Sequence, residues 1–254
     1  MDCPRAAAIF LRAGFFDGCR AAIARMIAFT TEETAAIALS VRVAALAIVV
    51  ALPFAVGVAY VLARWRFRGK ILFDALVHLP LVLPPVLTGY ALLVLLGRHG
   101  AIGERLEHWF GISVAFRWTG AVIAAAVMAF PLFVRSVRLS IEAIPRELDE
   151  IAASLGARSW QRFWRVLLPL SLPGIAAGIT LAFAKALGEF GATITFVSNI
   201  PGETQTISLA IQSLIQVPNG EHGIWRLAIV SVLLSLGALA ASEWLTRRAL
   251  RHRR

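Results

Sequence analysis

The stretch that decides the fold is residues 142–174, EAIPRELDEIAASLGARSWQRFWRVLLPLSLPG, a long polar interval in a mostly apolar chain. Pro145 suits the first turn of a helix, and the acidic residues that follow favour a helix N-terminus. Gly156 offers a position where that helix can end in the left-handed conformation. The pattern predicts two short helices, over residues 147–155 and 157–168, joined by a glycine and placed between membrane spans.

The composition indicates an all-α, polytopic membrane protein. Of the 254 residues, 59% are hydrophobic and 16% are charged, whereas about a quarter are charged in an average soluble protein. The net charge is +10, but Lys and Arg cluster in short segments between apolar runs, as expected of cytoplasmic loops. The charge therefore indicates membrane orientation and contact with lipid, and no nucleic-acid partner is expected.

About five apolar stretches are candidate membrane spans, preceded by an extension over residues 1–34. The extension has no apolar run approaching the roughly 20 residues needed to span a bilayer, so we expect an interfacial helix or a segment upstream of a start at Met26. Thr30 or Thr31, with Glu33 or Thr34, marks the start of the first span. The predicted spans cover residues 35–63, 71–96, 119–134, 170–187 and 224–244 of a permease domain at 35–246.

Charge placement predicts the orientation of these spans. The basic run at 64–70 has no acidic residue, and the last residues, 247–254, form a basic tail, so both are expected in the cytoplasm. Arg135 and Arg138 mark the cytoplasmic end of the third span. Residues 191–223 contain no Lys or Arg and are expected in the periplasm. Five spans then place the N-terminus outside, which fits poorly with the arginines of the extension.

The second span contains several helix-breaking residues. Pro80, Pro84, Pro85 and Gly89 should interrupt its backbone hydrogen bonds near mid-membrane. Broken backbone at that depth is tolerated only inside protein or along a wet cavity. The prolines therefore indicate either a simple kink or a wall of a translocation path.

Fixed spacings within the polar interval carry a family resemblance. Glu150-Ile151-Ala152 is followed after three residues by Gly156, and after nine more by Val166-Leu167-Leu168-Pro169. This resembles the EAA loop of ABC importer permeases: Glu-Ala-Ala, three residues, Gly, nine residues, Ile, any residue, Leu-Pro. Ile151 and Val166 depart from it conservatively. The resemblance implies the type I ABC importer permease fold, in which this coupling loop, here residues 142–168, docks on the ATP-binding subunit. The residues that it assigns to docking are Glu150, Ala152, Gly156, Ala157, Trp160, Leu168 and Pro169.

Polar residues that interrupt apolar spans are the candidates for the substrate path, because such groups usually face a cavity or a partner. Lys185 and Glu189 are four residues apart and share a helix face, so they either pair or present charge to an anion. Thr193 and Asn199 either donate hydrogen bonds to an oxyanion or cap a helix turn. Pro84 and Pro85 complete the candidate path.

Three further segments resemble the molybdate permeases of ABC importers, within a similarity that spans about residues 26–244. They are LPLVLPPV at 79–86, ALGEFGATI at 186–194 and NIPGETQT at 199–206. The resemblance implies a homodimer in the bacterial inner membrane, two ATP-binding subunits and a periplasmic oxyanion-binding protein. The substrate that the resemblance implies is molybdate, with tungstate as a near-isosteric dianion. A sulfate or thiosulfate permease is the alternative. An ion-coupled secondary transporter is less favoured, since coupling carboxylates and an internal repeat are not evident.

Catalytic motifs are missing from the sequence. It has no glycine-rich Lys-Ser/Thr phosphate loop, so ATP hydrolysis is expected on another polypeptide and the chain is interpreted as a transport subunit, not an enzyme. Its five histidines lack metal-ligand spacing. No metal and no cofactor are expected.

Overall fold

The computed structural model describes residues 29–111 and 113–251, so the interfacial helix predicted in the N-terminal extension lies outside the described residues. All regular structure in the described part is helical, which confirms the all-α prediction. The helices are α1 (Thr31–Arg64), α2 (Lys70–Val82), α3 (Pro85–Leu96), α4 (Gly103–Phe110), α5 (Trp118–Glu142), α6 (Arg146–Ser154), α7 (Ser159–Arg162), α8 (Leu168–Leu187), α9 (Gly191–Phe196), α10 (Ile207–Ile215) and α11 (Glu221–Arg251).

Helix α1 begins where the sequence predicted a start. The Thr30 hydroxyl accepts from the Glu33 amide at 3.1 Å, and the Glu33 carboxylate accepts from the Thr30 amide at 2.9 Å. This reciprocal capping box satisfies two amides that the first turn leaves unpaired. At 34 residues, the helix is about 51 Å long and exceeds the bilayer core of about 30 Å.

Two contacts at opposite ends show that α1 and α5 run parallel. The Arg42 guanidinium lies 4.1 Å from the Trp118 ring centroid, near the start of both helices. The Arg64 guanidinium donates to the carbonyl oxygens of Ile141 and Ile144 at 3.2 and 3.0 Å, at the ends of both helices. The chain between Arg64 and Trp118 must therefore cross back over a distance of about 33 Å at 1.5 Å per helical residue.

That crossing is a broken span formed by α2 and α3, which meet at an angle of 111°. Pro84 has an extended backbone (ψ 131°) and Pro85 begins α3. Pro85 fits this position because the first turn of a helix has no use for its missing amide. The structure thus confirms an interruption at Pro84 and Pro85, which divides the predicted single stretch at 71–96 into two helices. Pro80 and Gly89, which were also expected to interrupt the span, lie inside α2 and α3.

Helix α5 packs antiparallel on α8 through small residues. The Ser136 hydroxyl donates to the Gly174 carbonyl at 3.0 Å, and a Cβ built at Gly178 would lie 2.7 Å from the Phe133 ring. Glycines let the two backbones approach closely. The buried side chains of Phe133, Val137 and Ile141 continue the α5 core past the predicted end at residue 134. The basic residues assigned to the exit thus lie inside the helix, which ends at Glu142.

The second helix of the coupling loop is not separate from the fourth span. Helix α7, a π-helical turn over Phe163–Leu167 and α8 form one continuous run, Ser159–Leu187. The Leu168 amide donates to the Phe163 carbonyl, five residues back. Pro169 lacks an amide and its ring would clash with the carbonyl of residue 165 in a regular α-helix. The wider turn accommodates the proline, where the sequence had suggested an interruption.

Four of these elements are long and apolar enough to cross a membrane, and the broken span supplies a fifth crossing in the described part of the chain. The four are α1, α5, the Ser159–Leu187 run and α11. Helix α11 extends the predicted fifth span through Arg251, so the beginning of the predicted basic tail is helical.

Candidate coupling surface and translocation path

Gly156 forms the elbow of the coupling loop. Its φ is +81°, the left-handed region that glycine adopts without steric cost. The Ala157 amide donates to the Ala152 carbonyl, and the Gly156 amide to the Ala153 carbonyl, both at 3.0 Å. These two bonds form a Schellman motif, which satisfies the last carbonyls of α6. The helix stop that the sequence predicted is therefore made by Gly156.

A salt bridge holds the two arms of the elbow together. The Arg162 guanidinium on α7 donates to the Asp149 carboxylate on α6 at 2.9 Å. The charges are about three-quarters buried, so solvent screens them less than a surface pair. With Gly156 setting the turn, this bridge fixes the angle between α6 and α7.

The elbow rests on the first span through aromatic rings. The Phe163 ring lies 5.0 Å from the Tyr60 ring of α1 in edge-to-face geometry. Trp164 lies 5.6 Å from Phe163, and Trp160 lies 5.2 Å from Trp164. Edge-to-face pairs at such distances are favourable. These rings pack the elbow against the end of α1.

The outer face of the elbow is exposed and apolar. No residue of α6 is buried. The exposed fractions are 56% for Ile151, 83% for Leu155 and 69% for Trp160. Exposed apolar patches rimmed by charge mark protein interaction sites. Glu150 and Gly156 lie exposed on this surface, whereas Ala152, Ala157, Leu168 and Pro169 are half-buried.

Some of the candidate path residues lie where the second half of the broken span, α3, meets α9. A Cβ built at Gly191 would lie 2.7 Å from the Pro85 Cβ, and one built at Gly89 would lie 2.6 Å from the Ala192 carbonyl oxygen. Helices α3 and α9 are therefore in backbone contact. The structure brings Pro84 and Pro85 up to the helix that carries Thr193, whose side chain is buried.

Lys185 and Glu189 form a salt bridge. The Lys185 ammonium donates to one Glu189 oxygen at 3.0 Å, and the other oxygen accepts from the Ala192 amide at 3.0 Å. The Glu189 side chain is only 2% exposed. Its charge is stabilised by the ammonium and by the N-terminus of α9. Of the two roles that the sequence left open, the structure shows the pairing.

Asn199 is occupied by hydrogen bonds to the loop that precedes α10 and to α10 itself. Its amide nitrogen donates to the Ser213 hydroxyl at 2.7 Å, and its oxygen accepts from the Gln205 amide at 3.0 Å. Sequence reasoning missed Gln205 and the buried Thr204 and Thr206 beside it. Three consecutive polar residues in a mostly apolar chain were the sequence signal that could have identified them. These bonds hold Asn199 within a network of protein groups.

Comparisons with known proteins agree with this architecture. The protein family described as the binding-protein-dependent transport system inner membrane component matches residues 51–251. Molybdenum transport system permease protein ModB of Escherichia coli strain K12 is 56% identical over 218 residues, covering 86% of this chain and 95% of that protein. ModB of Haemophilus influenzae is 55% identical over 216 residues, covering 85% and 94%.

More distant comparisons define the fold and address the sulfate alternative. A chain of the bacterial alginate ABC transporter, crystallised with a pentasaccharide-bound periplasmic protein, superposes with a TM-score of 0.70 at 19% identity, covering 96% of this chain and 94% of its own. This confirms the predicted type I importer permease fold. The sulfate transport permease CysT of E. coli is 40% identical over 158 residues, only 62% of this chain and 57% of that protein. The chain belongs to the family of binding-protein-dependent transport system inner membrane components.

Proposed function

We propose that this chain is the membrane-spanning subunit of an ATP-driven importer that carries molybdate, and tungstate as its near-isosteric analogue, into the cytoplasm. The observation that carries the proposal is the 56% identity to a molybdenum transport permease across 86% of the chain. That similarity covers both the exposed elbow and the α3–α9 contact. A sulfate permease is less favoured because the sulfate relative aligns over a smaller share of the chain.

The ATP-binding subunit is the partner that fits the exposed elbow. Leu155, directly after α6, and Trp160 on α7 are exposed to solvent. They lie near Glu150 in the loop, at the same end of the bundle as Arg64. Exposed apolar side chains rimmed by charge are typical of a protein interaction site. Docking there would let conformational changes of the ATP-binding subunit act on the coupling loop, which connects the end of α5 to the start of the run that contains α8.

The orientation follows from charge. The basic run at 64–70 and the elbow share one end of the bundle, which the positive-inside rule assigns to the cytoplasm together with the C-terminus. The opposite end carries residues 191–223, without Lys or Arg, and faces the periplasm, where an oxyanion-binding protein delivers substrate. Two copies of the chain, each contributing an α3–α9 contact, line the path at their common interface.

The test is reconstitution of the permease with its ATP-binding subunit and its periplasmic binding protein in liposomes. We expect uptake of radiolabelled molybdate that depends on ATP and on the binding protein. Excess tungstate should compete and excess sulfate should not. Uptake that sulfate abolishes and tungstate leaves intact would assign the chain to sulfate. Absence of ATP-dependent uptake of any of the three would overturn the proposal.

A further inference from the structure

The broken span is packed very unevenly on its two sides. Its second half, α3, is in backbone contact with α9 at Gly89 and Ala192. Its first half, α2, contains no buried residue. An apolar groove of about 590 Å³ separates Leu76 and Pro80 of α2 from α1 and α5. Helix α2 is therefore only partly packed on the bundle: Phe73 and Val77 lie against the core of α1, α5 and α8, but no residue of α2 is fully buried.

A specific polar contact ties α2 to the bundle. The Arg138 guanidinium of α5 donates to the Asp74 carboxylate of α2 at 2.9 Å. Within the described residues, this is the one side-chain hydrogen bond or ion pair that links α2 to another helix. Asp74 also lies 3.2 Å from His78, one turn further along α2. Both partners are at least two-thirds buried.

The same guanidinium reaches the root of the coupling loop. Its Nε donates to the Glu142 carboxylate at 2.8 Å, and Glu142 is the last residue of α5. One residue before and two residues after Glu142, the carbonyls of Ile141 and Ile144 accept from Arg64 at the end of α1. Because guanidinium is planar and bonds two carboxylates in fixed directions, Arg138 makes one rigid unit of Glu142 and Asp74.

We infer that Arg138 is a positioning residue that transmits movement of the coupling loop to α2, so that the broken span opens and closes with the elbow. The inference rests on the proposed function. A loosely packed helix follows the contact that holds it, whereas the densely packed α3 stays with α9. The hinge lies at Leu83 and Pro84, where the helical hydrogen bonds stop. Arg138 thus acts on the path without touching the substrate.

A neighbouring arginine provides a matched control. Arg135 lies one turn before Arg138 and lines the same cavity of about 280 Å³ with Asp74 and His78. Its side chain makes no hydrogen bond or ion pair within the described residues. Arg135→Gln removes the same charge from the same cavity and leaves the bridge to Asp74 in place.

The experiment measures molybdate uptake per ATP hydrolysed by the reconstituted importer, for equal amounts of assembled complex. Asp74→Asn and Arg138→Gln should each lower this ratio about tenfold, and the double variant should be no worse than either alone, because contacting residues are not additive. Asp74→Glu should retain most of the coupling. Arg135→Gln should match the wild type.

A second measurement reports movement of α2 directly. With the native cysteines replaced, Leu76→Cys places a thiol in the groove beside α2. Its labelling rate should change between nucleotide-free and ATP-bound complexes, and Asp74→Asn should abolish that change. Nucleotide-independent labelling in the Leu76→Cys protein, or wild-type coupling in Asp74→Asn, would overturn the inference. If Leu76→Cys permease shows no ATP-dependent uptake while the unmodified importer does, labelling is repeated at Leu72, also exposed on α2, with the same two outcomes. Absence of uptake in the unmodified importer would instead refute the proposed function.

Discussion

Gly156 shows at the scale of one residue how backbone conformation shapes a partner-binding surface. Its φ of +81° closes the Schellman motif, and a Cβ there would meet no atom within 4 Å. Steric conflict inside this chain is therefore not the reason for glycine. The reason is the left-handed backbone, which L-residues enter at a cost.

We expect Gly156→Val to insert in the membrane normally but to bind less ATP-binding subunit or to uncouple it. The left-handed conformation should cost about 1 kcal/mol or more for a β-branched residue, which shifts α6 relative to α7. Asparagine tolerates this conformation, so Gly156→Asn is the control and should behave like the wild type. The measurement is copurified ATP-binding subunit and uptake per inserted permease. Wild-type values for the valine variant would show that the elbow angle does not matter for docking.

Lys185 is predicted to act mainly as the counterion of Glu189. Lys185→Gln leaves a buried carboxylate without its cation, which should destabilise the permease by up to about 3 kcal/mol, since removing one partner of a buried pair is costly. The drop should appear as a lower thermal unfolding temperature in detergent.

The double variant Lys185→Gln with Glu189→Gln separates the two roles of Lys185. A glutamine oxygen at 189 can still accept from the Ala192 amide, so stability should return. If Lys185 only neutralises Glu189, uptake returns as well. Restored stability with uptake still absent would instead show that the ammonium acts on the anion.

At the scale of secondary-structure elements, α3 and α9 pack closely at two glycines, Gly89 and Gly191. A Cβ at Gly89 would lie within 2.9 Å of three atoms, two of them backbone atoms of Ala192. Backbone cannot rotate away as a side chain can, so the helices must separate. The close contact therefore requires a residue without a Cβ at position 89.

We expect Gly89→Ala to lower the thermal unfolding temperature, with a destabilisation of about 1–3 kcal/mol from overpacking. Gly57→Ala is the matched control, because Gly57 also lies inside a helix but has no atom within 4 Å of its Cβ. There the higher helix propensity of alanine should leave stability equal or slightly greater. Equal unfolding temperatures for the two variants would argue against a tight α3–α9 contact.

The elements that were predictable from sequence are those set by local chemistry. The capping box at Thr30, the break at Pro84 and the stop at Gly156 each depend on residues within one turn. The π-helical turn before Pro169 was not predictable, because a proline can either end a helix or widen it. The Arg138–Asp74 bridge joins residues 64 positions apart, and only the tertiary fold brings them together. Arg138 therefore looked like a mere marker of the cytoplasmic side.

At the scale of the whole molecule, the parallel arrangement of α1 and α5 determines which segments lie at the same end of the helix bundle. Arg64 contacts the end of α5, so the 64–70 run and the coupling loop lie together. Arg42 contacts the start of α5, and the cavity lined by Arg42 and Trp118 also contains Glu203. Glu203 must then lie at the opposite end from Arg68. This relation comes from contacts alone and is independent of the charge argument.

Cysteine labelling in intact cells should show that Arg68 and the coupling loop lie on one side of the membrane and Glu203 on the other. In a permease whose native Cys3 and Cys19 are replaced by serine, we expect Glu203→Cys to react with a membrane-impermeant maleimide from outside. Arg68→Cys and Ser154→Cys should react only after the membrane is opened, because the basic run holds their side in the cytoplasm. All three positions are exposed, so protection cannot be attributed to burial in the chain. Uptake by each variant confirms that the labelled protein is folded.

Labelling of Glu203→Cys and Arg68→Cys from the same side would mean that the broken span turns back without crossing. Labelling of all three with reversed sides would preserve the fold but invert the importer, and the ATP-binding subunit could then not reach the elbow.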